Sequence, residues 1–254
     1  MTGFFLAGIY PVGMKIAADY YEKGLGKSLG YLVGALVLGT AFPHLLKGFS
    51  GGLPWRLVLI ITSTLATIGG GVMLLFIPDG PFRKASQGVD LSAFLKIFKN
   101  SKFRSAAFGY FGHMWELYTF WAFVPVMLTT YLAQNPTTVL NVSLWSFIIV
   151  GLGGLACVAG GYLSQIFGSK KIATAALLLS GICCLLSPLI FYTTSPILFL
   201  SFLIFWGLVV IADSPLFSTL VAKNAPAENK GTALTIVNSI GFAITIVSIQ
   251  LMVI

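Results

Sequence analysis

Seven stretches of about 20 or more mostly apolar residues dominate the chain: 28–46, 57–77, 105–132, 143–167, 172–192, 197–222 and 232–254. An eighth, shorter run covers 2–18. A helix needs about 20 apolar residues to cross the hydrocarbon core of a bilayer. The runs are continuous rather than alternating and far exceed the length of a barrel strand, so strands are not expected. Only 9% of the 254 residues are charged, against roughly 25% in a soluble domain. With 57% hydrophobic residues, the chain cannot clothe itself for water. The expectation is an all-α integral membrane protein with eight transmembrane helices, multi-pass in the cytoplasmic membrane and surrounded by lipid.

Lysine and arginine orient the helices. If the loop at 18–27 is placed on one side and the runs alternate, that side receives Lys23, Lys27, Arg83, Lys84, Lys96, Lys99, Lys102, Arg104, Lys170, Lys171, Lys223 and Lys230. The other side receives Lys47 and Arg56. Cytoplasmic loops carry the basic excess, so the rich side is cytoplasmic. The net charge of +8 follows from this asymmetry. Because the basic residues are spread over four loops, no nucleic-acid partner is expected. Within the longest loop, 78–103, Leu91, Phe94, Leu95 and Phe98 fall at helical spacing behind Asp90, a residue suited to an N-cap. An interfacial helix lying on the inner leaflet fits this pattern.

The chain repeats itself across its length. "PVGMKIAADYYEKGLGKSLGYLVG" begins at Pro11 and "PLFSTLVAKNAPAENKGTALTIVNS" at Pro215. Each runs from proline through a helix end into a mixed-charge loop, then restarts at Gly26 and Gly231. Six apolar runs separate the two copies, the spacing of two six-helix halves related by an axis along the membrane normal.

These features resemble the major facilitator superfamily. "GYLSQIFGSKK" (161–171) is similar to the family's cytoplasmic loop signature at Gly161, Leu163, Ser164, Gly168, Lys170 and Lys171, while Gln165 and Ile166 stand where the family has an acidic and a basic residue. "PWRLVLI" (54–60) and "IPDGP" (77–81) resemble the opening and the end of the family's sixth helix. The resemblance implies a partial major-facilitator-type bundle running from the fourth to the eleventh helix. Residues 1–77 would be the remainder of the N-terminal half, 78–103 a cytoplasmic linker and 104–254 five of the six C-terminal helices. It further implies that three helices precede Met1 and one follows Ile254. The implied activity is secondary active transport of a small polar or anionic solute by alternating access, coupled to an ion or proton as in a symporter, by a carrier monomeric when intact. A non-transporting sensor or scaffold on the same fold and an inactive fragment are the alternatives.

Inside the apolar runs few groups carry chemistry. Glu116 lies mid-run, with Gly109, His113 and Phe120 on the same helical face. An ionisable group at such depth faces the bundle interior or a wet cavity. Two readings stand: a solute or proton site in which His113 and Glu116 titrate as a coupled pair, or a His–Glu contact that only locks packing. Asp213, two residues before Pro215, is either a solute or co-ion group or a cap for backbone freed by a proline kink. Lys15, with Asp19 at i+4, reads as a snorkelling side chain with a local ion pair, the sharper alternative being a solute-anion site. Asn238 and Gln250 read as interhelical glue, and Gly30, Gly34 and Gly69–Gly71 as sites of close helix packing. Cys157, Cys183 and Cys184 sit in apolar runs as small packing residues. No nucleophile set, phosphate loop or metal-ligand cluster stands out, so neither an enzyme activity nor a cofactor is expected.

Overall fold

In hydrocarbon each backbone N–H and C=O must find its partner within the segment, and the apolar runs accordingly become helices. A computed structural model describes residues 9–21, 24–49, 53–83, 97–226 and 230–253. Among them the helices are α1 (Tyr10–Tyr20), α2 (Leu25–Phe49), α3 (Trp55–Phe76), α4 (Ser101–Gln134), α5 (Val142–Gly151), α6 (Gly153–Phe167), α7 (Ser169–Ile190), α8 (Pro196–Ala212), α9 (Ser214–Asn224) and α10 (Lys230–Val253). The expected interfacial helix around Leu91–Leu95 falls outside the described residues.

Among the described residues six spans are long and apolar enough to cross a membrane: Leu25–Gly48, Trp55–Phe76, Val142–Phe167, Ser169–Ile190, Pro196–Asn224 and Lys230–Val253. Two of the six are broken helices. α5 and α6 meet at Leu152, inside the glycine-rich sequence Gly151–Gly154, and α8 and α9 meet at Asp213. The expected eight shrinks to six on these criteria because α1 is described over 11 residues and α4 is less apolar. At 34 residues, α4 would be about 51 Å long, ample for a bilayer, but it carries His113, Glu116, Lys102 and Arg104.

Contacts fix the helix directions. Gly109 lies against Phe217 and Glu116 against Trp206, so α4 runs antiparallel to α8–α9. Gly241 meets Tyr110, and Ser248 accepts a hydrogen bond from Thr119 at 2.9 Å, so α4 and α10 run parallel. Four of the connections consequently gather at one end. There Phe82 N–H donates to Asp19 O at 3.0 Å, the Asn100 amide reaches Asn224 O, and Gly26 packs on Ser164. The described ends of those connections carry Lys27, Arg83, Lys99, Lys102, Arg104, Lys170, Lys171, Lys223 and Lys230, so for these residues the two-sided charge pattern of the sequence falls at one end of the bundle.

α6 is the most tightly clamped helix. A Cβ on Gly161 would stand 2.8 Å from Gly26 O, and one on Gly154 2.9 Å from Gly34 O, on the α2 side. On the other side a Cβ on Gly160 would stand 2.7 Å from Ala212 O. Real side chains do not tolerate such distances, so glycine is what lets three backbones touch. The expectation of close packing holds for Gly30 and Gly34 and fails for Gly69–Gly71, where an added Cβ would meet nothing within 4 Å. α3 stands at the rim with no buried residue, so its small residues have no described neighbour to approach.

Two apolar clusters fill the interior. One joins Val33, Val37, Leu117, Val124, Leu128, Phe199, Leu203 and Ile211. The other, toward the basic end, joins Met14, Leu29, Phe103, Tyr110, Leu216, Val221 and Leu234. α9 sits almost wholly inside, with eight of its 11 residues buried. The polar side chains described next lie where the two clusters meet.

Candidate functional site

Asn100 opens α4 by accepting N–H bonds from Lys102 and Phe103, as an N-cap should. From that start His113 and Glu116 arrive near the middle of the helix. His113 is 1% exposed. Its Nδ1 stands 2.7 Å from Asp213 Oδ1. Its ring lies between those of Tyr110, at 6.0 Å, and Phe217, at 6.1 Å. Close as the two groups are, all four polar atoms of the pair, Nδ1 and Nε2 of His113 and both carboxylate oxygens of Asp213, are buried without a well-aligned hydrogen bond among the described residues. A buried polar atom left unmatched costs about 1–3 kcal/mol, so this pair is held at a price in stability.

Pro215 explains why Asp213 is there. With no N–H at 215, the Ile211 carbonyl loses its helical donor and the helix breaks at Asp213. The Asp213 backbone N–H turns to that carbonyl and the Cys157 thiol points at it from 3.6 Å, so no cap is asked of the Asp213 side chain. The Asp213 side chain is thereby left to His113.

Glu116 has different neighbours. The Ser180 hydroxyl donates to Oε2 at 2.8 Å, and the Trp206 indole N–H donates to Oε1 at 3.1 Å. Phe120, one turn along α4, packs on the Trp206 ring with centroids 4.7 Å apart. The expected His113–Glu116 contact is therefore absent: the imidazole takes Asp213, and the carboxylate takes neutral donors from α7 and α8. Residues three apart on a helix differ by about 60° in direction, enough for two neighbours to be chosen.

Ser180 and Trp206 left no sign in the sequence, because an isolated serine or tryptophan in an apolar run carries no pattern. Nor did Tyr10, which brings α1 beside α9. The Tyr10 hydroxyl lies beside Ser214 and Ser218, and its ring meets Phe242 edge-on at 6.3 Å. Phe242 also meets Tyr118, at 5.6 Å. Asn238 is buried with its amide nitrogen unpartnered. The structure thus brings α4 and the α8–α9 break together at the Asp213–His113 pair, with Tyr10 of α1 beside the first turns of α9. Of the polar residues read as interhelical glue, Gln250 is exposed, and the observed bridge is Thr119–Ser248.

Lys15 stands apart from this group. Its ammonium pairs with Asp19 at 2.8 Å, and its stem lies on Gly231, the Cδ 3.4 Å from where a Cβ would be. The loop signature spans the α6–α7 corner. Gly168 turns it at φ +87°, a left-handed conformation that favours glycine. Leu163, Lys170 and Lys171 are exposed, and Gly161 seals α6 to α2.

Membrane-length helices packed through glycine contacts around buried ionisable side chains define an integral, multi-pass membrane protein. The chain belongs to the Major Facilitator Superfamily, whose family model matches residues 1–249, and a membrane transporter is what that family implies. No curated protein and no solved structure matches the chain.

Proposed function

We propose that this chain carries a small polar or anionic solute across the cytoplasmic membrane by alternating access, as a secondary transporter driven by a proton gradient, with its basic end in the cytoplasm. In this reading residues 1–77 and 104–254 belong to two halves joined by 78–103, and α1 and α4 cross the membrane to bring the count to eight. The observation that carries it is the Asp213–His113 contact, buried between two apolar clusters at a helix break. Ionisable pairs at such depth are costly and mark proton or solute paths. The phenol of Tyr10 and the hydroxyls of Ser214 and Ser218, just past the break at Asp213, add hydrogen-bonding groups that suit a small polar or anionic solute.

The test is uptake by cells expressing the protein, screened over organic anions and amino acids with and without an imposed proton gradient. Asp213→Asn and Glu116→Gln keep shape and remove the titrating group. Driven accumulation should be lost in Asp213→Asn, while exchange of internal for external solute persists. Accumulation equal to wild type in both well-expressed variants and in His113→Gln would refute proton coupling through these residues. For orientation, a cysteine at Thr138 should label from outside sealed cells and one at Gln87 should not.

A further inference from the structure

Three side chains from two helices meet on the flank of the bundle at the basic end of the α2–α6 seam. The Tyr31 and Tyr162 hydroxyls are 2.9 Å apart, with the rings edge-to-face at 6.3 Å. Lys27, one turn before Tyr31 on α2, holds its Nζ 4.6 Å from the centre of the Tyr162 ring. Among the described residues no carboxylate pairs with Lys27. Tyr31 and Tyr162 are 52% and 44% exposed, and the last turn of α6 exposes Leu163, Ile166 and Phe167 beside them. This flank therefore meets acyl chains, and Lys27, in the first turn of α2, stands where headgroups begin.

A lone snorkelling lysine or interfacial tyrosine is ordinary in a membrane helix. A phenol pair joined across two helices, with an ammonium on one ring, is more specific. One hydroxyl hydrogen is consumed within the pair. The Lys27 ammonium also faces the Tyr162 hydroxyl, which leaves the other hydroxyl hydrogen and the remaining ammonium hydrogens for a ligand. We propose that Lys27, Tyr31 and Tyr162 seat the phosphodiester of an anionic phospholipid from the leaflet at the basic end. The cation supplies charge and the phenol a directed donor, while the exposed apolar turn of α6 takes the acyl chain. The seat straddles the seam where Gly26 and Gly161 bring α2 and α6 into backbone contact, so a bound lipid clips those two helices together.

Native mass spectrometry of the whole chain, released from micelles holding equal phosphatidylglycerol and phosphatidylcholine, tests the seat without reading transport. Wild type should retain phosphatidylglycerol in preference. Lys27→Gln should lower that retention about fivefold, the effect of about one surface lysine on anionic lipid. The double variant Tyr31→Phe/Tyr162→Phe, which keeps the rings, should lower it as well. Lys171→Gln, at an exposed lysine of the next helix, should leave it unchanged. Equal retention of the two lipids by wild type would overturn the proposal. So would equal losses from Lys27→Gln and Lys171→Gln, which would mean a diffuse basic field. Displacement of the retained lipid by millimolar inorganic phosphate would assign the seat to a soluble anion and likewise overturn it.

Discussion

Asp213 and Glu116 are two carboxylates in one bundle with opposite surroundings. Asp213 is fully buried at a helix break and touches a second titratable group, His113. Glu116 is half-buried in an unbroken helix and is held by two neutral donors, Ser180 and Trp206. At Asp213 a charge would have a second titratable group beside it to offset its burial. A proton arriving at Glu116 changes its net charge, and the surroundings feel the whole change. The neighbours also differ in kind. The partner of Asp213 is a titratable ring from α4, whereas those of Glu116 are a hydroxyl from α7 and an indole from α8. Depth in the membrane is therefore a poor guide to what a carboxylate does; its partner decides.

The largest expected effect is at Asp213. Removing one member of a buried ionisable pair costs about 3–5 kcal/mol, so Asp213→Ala should lose about that much in detergent unfolding. A loss of under about 1 kcal/mol would mean that the contact with His113 carries no energy and would dissolve the contrast. Next comes coupling. A double-mutant cycle between Asp213→Ala and His113→Ala should give about 1–3 kcal/mol, and one between Glu116→Gln and His113→Ala less than about 0.5 kcal/mol. Equal values would put all three groups in one network and restore the His113–Glu116 pairing expected from the sequence.

Glu116 itself should be milder. Ser180→Ala and Trp206→Phe each remove one hydrogen bond to the carboxylate and should cost about 1–3 kcal/mol, as bonds to a charged group do. Each should cost less in a Glu116→Gln background, because the same bonds are already weakened there. Full additivity would show that these donors serve something other than Glu116. The smallest effect is expected at Cys157→Ala, where a weak S–H donor to Ile211 O is lost, at about 1 kcal/mol. A much larger loss would make the Cys157 cap, rather than the His113 contact, the feature that holds the break at Asp213.

The sequence by itself determined that the chain is helical, where most helices begin and end, that the basic loops share one end, and that Pro215 breaks a helix beside Asp213. These are local matters. A bilayer forces hydrogen bonds to close within each segment, run length sets the span, and proline removes a donor wherever it stands. It also placed His113 and Glu116 on a common face. The tertiary structure alone decided what that face meets. Two side chains about 60° apart look into different gaps once α8 and α9 pack beside α4, so His113 found Asp213 and Glu116 found Ser180 and Trp206. The same holds for the glycines: Gly30 and Gly34 admit α6, while Gly69–Gly71 meet no described neighbour, although both sets read alike in sequence. A helix face is written in the periodicity of its own residues; its partner depends on how distant segments fill the space around it, and no local pattern records that.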